Sequence, residues 1–322
     1  MTGFFDWLSS FLYAAMLAGV PLLFGTLGEV ITEKSGSLNL GVEGMMYMGA
    51  VFGFMGGYLF ASPILALVFA FLGGALGALC YAFLTVTLKA NQNVTGLTLT
   101  IFGTGLANFL GESLITSSPS GAAVVAENVK LAFRPMQWGA LTTIPYVGKL
   151  LFNHSIFTYL AVGLAVLAGW YLNHTRLGLN LRAIGENPAA ADAAGVSVDR
   201  YKYAHILLGG GICGLGGGYI ALVTCGGSWT YNCVAGQGWI AVALVIFAAW
   251  SPYRAIWGSL VFGALSVLRL YIPNSVISIP PAVFAMVPFV VTCLVLVVSS
   301  IQMRKENQQP KGCGVNYFRE ER

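Results

Sequence analysis

NHTRLGLNLRAIGENPAAADAAGVSVDRYKY, residues Asn173 to Tyr203, is the long polar interruption in the second half of a chain that is otherwise almost continuously apolar. It carries Arg176, Arg182, Glu186, Asp192, Asp199, Arg200 and Lys202, seven charged residues in a chain with only 16 basic and 12 acidic ones. Within it Asn187 has the side chain of an N-cap and Pro188 suits the first helical position. Five alanines follow, interrupted only by Asp192, and Gly195 can end the turn. The spacing predicts a short, smooth-sided helix on a loop, with too little apolar surface to build a core of its own. Two readings fit it: a docking knob that lets another protein's backbone come close, or an ordinary loop helix between two spans.

Around this island the composition excludes a soluble globular domain. Hydrophobic residues make up 57%, charged residues 9%, and the mean hydropathy is +0.77, whereas soluble domains are about a quarter charged. Apolar runs predict spans near Phe11–Ile31, Leu38–Phe60, Ile64–Leu88, Val94–Ile115, Ile156–Leu172, Ala204–Val223, Trp239–Trp250, Ala255–Ile272 and Pro281–Ser300. The expected fold is therefore an all-α polytopic membrane protein with about nine transmembrane helices, in a range of roughly eight to ten. The second and seventh spans hold enough glycine and polar residues to be broken or partly re-entrant.

The basic residues are scattered among loops, so the net charge of +4 reports topology rather than a nucleic-acid surface. The island and the tail after Ile301, with Arg304, Lys305, Lys311, Arg319 and Arg322, are expected on the cytoplasmic side, as are Lys34, Lys89 and Arg254. That orientation puts the N-terminus outside. Residues 1–301 then form the transmembrane domain, 116–151 an external loop, 173–203 a cytoplasmic loop and 302–322 a cytoplasmic tail. The external loop objects mildly, because it contains Lys130, Arg134 and Lys149. MTGFFDW has no basic segment before its apolar run, so the first span is expected to stay. The six cysteines form no CxxC pair and the three histidines stand apart, so no metal site is expected. Cys225 and Cys233 share one external loop and could bridge.

The first four spans and the last four show a faint kinship, with the fifth between them. Asn39-Leu-Gly-Val-Glu43-Gly44 resembles Asn232-Cys-Val-Ala-Gly-Gln237-Gly238, and the Gly-Ala-Leu triplet at Gly77–Leu79 recurs at Gly263–Leu265. An offset of five spans inverts the topology, as in transporters whose halves rock about a central site. Polar groups inside spans are the candidates for such a site. Asn39 and Glu43 fall on one face if their segment is helical; they either line the route or tie down a broken helix. Thr100, Thr104, Asn108 and Glu112 recur every fourth residue as a slanting polar stripe, which either borders a water-filled path or holds threonines bonded to their own helix. Gly209-Gly-Gly211-Ile-Cys-Gly214 satisfies GxGxxG, but it sits in an apolar span with no strand before it and reads as helix packing. No GxxxxGK[ST] occurs, and no catalytic cluster, so an enzyme is not expected.

TEKSGSLNLGVEGMMYMGA (Thr32–Ala50) and LRAIGENPAAADAAGVSVDRY (Leu181–Tyr201) resemble the permease subunit of bacterial ATP-binding cassette importers. The group is the branched-chain amino acid, ribose and simple-sugar permease superfamily, and within it the nucleoside branch that works with basic-membrane-protein-type lipoproteins. The likeness runs roughly from Leu12 to Val298. It implies a coupling loop at Gly185, Glu186, Asn187, Pro188, Ala190 and Gly195, inserted into a groove of a cytoplasmic ATPase that holds ATP and Mg; this chain itself would carry no cofactor. It also implies a second permease subunit in a heterodimer, of which this chain resembles the shorter member, an external substrate-binding lipoprotein, and a place in the bacterial cytoplasmic membrane. Asn39 and Glu43 fall in the family's signature segment. With Thr104, Asn108, Asn232 and Gln237 they are the candidates for the translocation path, and Trp229 and Tyr231 could offer faces to a base. A simple-sugar permease such as one for ribose, and a secondary transporter using Glu43 and Glu112 as proton relays, are the alternatives.

Overall fold

Every apolar run predicted above falls on a helix of the computed structural model, which describes residues 2–119, 121–142, 144–145, 147–271, 281–302 and 308–318. In chain order the helices are α1 (Thr2–Lys34), α2 (Val42–Phe60), α3 (Pro63–Ala82, prolonged by a π turn, Phe83–Thr87), α4 (Gln92–Ser117), α5 (Glu127–Phe133), α6 (Val147–Phe152) and α7 (Ile156–His174). There follow α8 (Arg176–Glu186), α9 (Pro188–Ala193), α10 (Val198–Tyr219, prolonged by a π turn, Ile220–Thr224), α11 (Gln237–Phe247), α12 (Pro252–Tyr271) and α13 (Pro281–Gln302). By length and hydropathy α1, α3, α4, α7 and α10 suffice to cross a bilayer. Of the basic tail residues, Arg304, Lys305, Arg319 and Arg322 lie outside the described residues.

Two expected spans are shortened, as their glycine and polar content predicts. Residues 35–41 enter the bundle without helical structure, and α2 starts only at Val42. The seventh is an 11-residue helix, α11, preceded by Asn232, Ala235 and Gly236 in the left-handed region. Eleven residues rise only about 16 Å, half a bilayer core.

The centre of the bundle is α2, α3 and α10, which pack on one another through glycine. A Cβ at Gly49 would lie 2.2 Å from the Gly214 Cα, so α2 and α10 touch backbone to backbone. The GxGxxG of α10 is thus a packing face, as read. Around this centre the contacts repeat. α1 packs along α12 as α10 packs along α3, and α2 meets α4 as α11 meets α13. Exchanging α1 with α10, α2 with α11, α3 with α12 and α4 with α13 maps these pairs onto each other and leaves α7 between the sets, the arrangement of an inverted repeat.

One detail of the repeat is corrected. A Cβ at Gly263 would lie 2.2 Å from the Ala15 carbonyl of α1, and a Cβ at Gly74 would lie 2.2 Å from the Gly210 carbonyl of α10. The counterpart of Gly263 is therefore Gly74, in the triplet Gly74–Leu76, one helical turn before the triplet that the sequence comparison chose. The chain carries Gly-Ala-Leu twice in succession, and packing selects the first.

Successive connections alternate between two ends. At one end lie residues 35–41, the α3–α4 turn, the α8–α9 insert, the α11–α12 turn and residues 308–318, joined by contacts such as Cys313 Sγ to the Glu33 carbonyl and Trp250 Nε1 to the Glu33 carboxylate. At the other, Val125 N donates to the Gly227 carbonyl (2.9 Å) and Trp229 N to the Ala123 carbonyl (3.1 Å), stitching the loop after α4 to the loop after α10. Asn128 Nδ2 ties α5 to the α2–α3 turn through the Ala61 carbonyl at 2.6 Å.

Candidate docking insert and translocation route

The insert is built from caps. Thr175 Oγ1 accepts from Gly178 N (3.0 Å) and starts α8. Asn187, extended at φ −152°, ends α8 and caps α9, its Oδ1 accepting from Ala190 N at 3.0 Å. Gly195 then takes φ +84°, a conformation costly for any residue with a Cβ, and the chain leaves the helix. Only Ala191 of α9 is buried, joining Ile184 and Val198 in a small apolar cluster closed by Tyr317. Ala189, Ala190, Ala193, Ala194 and Gly195 are exposed, and Glu186 and Asn187 stand at their lip. The outer face is thus methyl groups and backbone, on which a partner can close without displacing a side chain. Gly185 differs. It is buried, and a Cβ there would lie 2.4 Å from the Lys34 carbonyl, so it belongs to the seat of the insert and not to its exposed face.

That seat includes the tail. Gly312 N donates to the Gly185 carbonyl (2.7 Å) and Tyr317 OH to Asp192 Oδ2 (2.8 Å). Gln92 at the start of α4 holds both sides together, its Oε1 accepting from Leu38 N (2.7 Å) and Gly314 N (3.3 Å), while Asn316 Nδ2 donates to the Ala90 carbonyl at 3.2 Å. Residues 308–318 are a strap beneath the insert. The insert is thus connected to α1 through Gly185 and to α4 through the strap.

The polar residues of the second span turn out to be ties. Asn39 is 1% exposed; its N and Nδ2 both donate to Glu29 of α1, at 3.0 and 3.2 Å, and its Oδ1 accepts from Gly41 N at 2.9 Å. The segment before α2 therefore has its backbone satisfied by side chains, as irregular chain inside a membrane protein requires. Glu43 lies in the first turn of α2, and its two oxygens accept from Gly236 N (2.7 Å) and Gly238 N (2.6 Å) at the start of α11. One carboxylate thus sits at the positive ends of two shortened helices. Of the two roles considered for Asn39 and Glu43, this geometry supports tying down the broken helices.

The stripe on α4 divides in two. Thr100 Oγ1 donates to the Leu40 carbonyl (3.1 Å) and Thr104 Oγ1 back to the Thr100 carbonyl (2.8 Å), which absorbs both hydroxyls. Asn108 instead reaches across to Asn232, Nδ2 to Oδ1 at 3.1 Å, on the outer surface of the bundle near its second end. Half-buried Gln237 and exposed Tyr231 stand on the same loop and helix start. Trp229 does not join them: it is 7% exposed, tilted against the Phe54 ring at 5.6 Å, with its indole over Gly111. Cys225 and Cys233 are both free thiols.

Sequence reading passed over Glu29, Glu33, Trp250 and Gln92. Two carboxylates four residues apart inside an apolar run were signal enough for the first two, since charge there needs a protein partner. Gln92 and Trp250 gave no local sign, because their partners lie far along the chain.

The chain matches the family model for the branched-chain amino acid transport system permease component over residues 11–296. A putative glucose ABC transporter permease of Haloferax volcanii is 38% identical over 80% of this chain and 76% of its own length. The nucleoside ABC transporter permease of Lactococcus lactis is 35% identical over 94% and 95% of the two chains, and the guanosine ABC transporter permease of Bacillus subtilis is 31% identical over 98% of each. No solved structure matches. With the family model covering most of its length, and with its inverted helix pairs and capped insert, this multi-pass membrane protein belongs to the permease-component family of branched-chain amino acid transport systems, subunits of ABC transporters that work with ATPase and paired permease partners.

Proposed function

We propose that this chain is a transmembrane permease subunit of an ATP-driven importer that carries nucleosides across a bacterial cytoplasmic membrane. The observation that carries the reading is the insert, an exposed alanine face around Ala190 held on a seat that reaches both α1 and α4. A cytoplasmic ATPase grips this face at Glu186, Asn187, Pro188 and Ala190, binds ATP and Mg itself, and tilts the spans when its cassettes close. That assignment makes the insert, the tail and residues 35–41 cytoplasmic, which agrees with Lys34, Lys89, Arg182, Arg200 and Lys311 gathering at that end. A second, different permease completes the path, and an external lipoprotein delivers substrate to its mouth. The path runs along the outward pair Asn108–Asn232 with Gln237 and Tyr231, which offer amide and hydroxyl groups to ribose and a ring to the base.

Near end-to-end likeness to the nucleoside and guanosine permeases supports the substrate class. The 38% identity to the glucose permease favours a second reading, a simple sugar. Reconstituted vesicles holding both permeases and the ATPase, with the binding lipoprotein supplied outside, are expected to accumulate labelled nucleoside only with ATP inside, with excess unlabelled nucleoside competing and glucose or ribose not. Ala190→Arg is expected to abolish uptake, a fall of about a hundredfold or more if docking is lost, while the chain stays inserted and folded. Uptake by the permease without any ATPase would instead establish a secondary transporter.

A further inference from the structure

On the flank formed by α1, α6, α7 and α12 the helices do not close on each other. They leave a cleft of about 400 Å³ lined by Met16 and Leu23 of α1, Leu151 of α6, Val162 of α7 and Trp257 and Leu260 of α12. Val162 and Trp257 are 38% and 71% exposed, so the cleft opens sideways on the bundle surface. Among this apolar lining stands one hydroxyl with nothing to bond. Thr158 is 5% exposed, and its Oγ1 has no partner among the described residues. Thr98, Thr104 and Thr292 each close onto the carbonyl four residues back at 2.8 Å. Thr158 does not, and the corresponding carbonyl, that of His154, already accepts from Met136 N at 2.9 Å. A buried hydroxyl left in this state is costly unless something in the cleft supplies an acceptor.

Beside the cleft is a cation without an anion. Lys149 of α6 lies 5.6 Å from the centre of the Tyr13 ring, one turn before Met16, and among the described residues no carboxylate pairs with it. Of the basic residues at the end opposite the insert, Arg134 is paired with Glu127 at 3.0 Å, whereas Lys149 is not. A positive group, then a buried donor, then an apolar trough is the polarity of a phospholipid: phosphate, ester carbonyl, acyl chain.

We propose that this cleft is a binding site for one anionic phospholipid of the leaflet opposite the insert, with its phosphate on Lys149, an ester carbonyl accepting from Thr158 Oγ1 and one acyl chain between α1, α7 and α12. The lipid wedges α6 and α7 against α1 and α12.

The test is native mass spectrometry of the assembled importer taken from nanodiscs of equal phosphatidylglycerol and phosphatidylcholine. Wild type is expected to retain phosphatidylglycerol selectively. Lys149→Gln lowers that retention about fivefold, the worth of one lysine near a membrane anion. Thr158→Val keeps the shape of the side chain and the yield of folded protein but also lowers retention, and Val162→Trp fills the trough and excludes the lipid. Identical lipid retention in wild type and all three variants overturns the proposal. So does a photo-crosslinker at position 162 that captures a second permease chain in place of lipid, since the trough would then be a protein interface.

Discussion

The starts of α2 and α11 do the same task in opposite ways. Both are helices that begin inside the bundle, and each has its lead-in segment held by a glutamate: Glu29 for residues 39–41, Glu43 for residues 236–238. At α2 the segment is closed. Leu38 N is taken by Gln92, Tyr81 OH donates to the Leu38 carbonyl at 2.6 Å, and Asn39 is 1% exposed. At α11 the segment is open, with Tyr231 45% exposed and Asn232 and Ala235 both at φ +50°. Both helix starts have their backbone held by side chains, since Ala235 N, Gly236 N and Gly238 N are taken by Tyr47 and Glu43; what differs is exposure, because the loop that leads into α11 keeps Tyr231 and Asn232 on the surface. The comparison teaches that a repeat equal in topology differs in access: the start of α2 is an enclosed anchor, and the loop leading into α11 is an open edge.

The most damaging way to break this is to part the two helix starts. A Cβ at Gly238 would lie 2.4 Å from the Glu43 Cα, a backbone atom that cannot yield. Gly238→Val is expected to cost about 3 kcal/mol or more and to remove the chain from the monodisperse peak in detergent gel filtration. Glu43→Gln comes next. The amide keeps one acceptor but turns an NH2 toward a backbone N–H, leaving a buried donor facing a donor, a loss of about 2–3 kcal/mol. Asn39→Ala removes one donor to Glu29 and the acceptor for Gly41 N, and buries a carboxylate with a single remaining tie to this segment. If Asn39 and Glu43 both serve as ties, both variants lower the thermal midpoint of the detergent-solubilised chain. A midpoint unchanged in Glu43→Gln with uptake lost would make Glu43 a contact for substrate and cancel its role as a cap.

Much of this was legible in the residues themselves, and the limits are physical. The membrane class, the helices and the shortened second and seventh spans follow from apolar runs and glycine, which act locally. The insert was legible because caps are local too: Asn187, Pro188 and Gly195 announce their roles within three residues of one another's helix ends. What separates Asn39 and Glu43 as ties from Asn39 and Glu43 as path residues is the partner, and Glu43 finds its partners 193 and 195 residues away. The same holds for the strap: residues 308–318 are polar and read as a plain tail, and only their bonds to Gln92, Gly185 and Asp192 make them part of the insert. The triplet misalignment has another cause, a short motif repeated within one helix, which backbone approach resolves and letter matching does not.

The gentlest test lies at the open edge. The Asn108–Asn232 bond at 3.1 Å is between neutral groups on the surface of the bundle, so it contributes at most about 1 kcal/mol to the fold. Asn108→Ala is expected to shift the thermal midpoint little. If the open edge leading into α11 borders the path, the same variant alters the concentration dependence of uptake, raising the half-saturating substrate several-fold while ATP-dependent docking on the ATPase stays intact. A variant equal to wild type in uptake at every concentration would move the path away from this pair. A large loss of folded chain would show instead that the loop leading into α11 anchors the bundle as the start of α2 does, and the division between anchor and edge would fall.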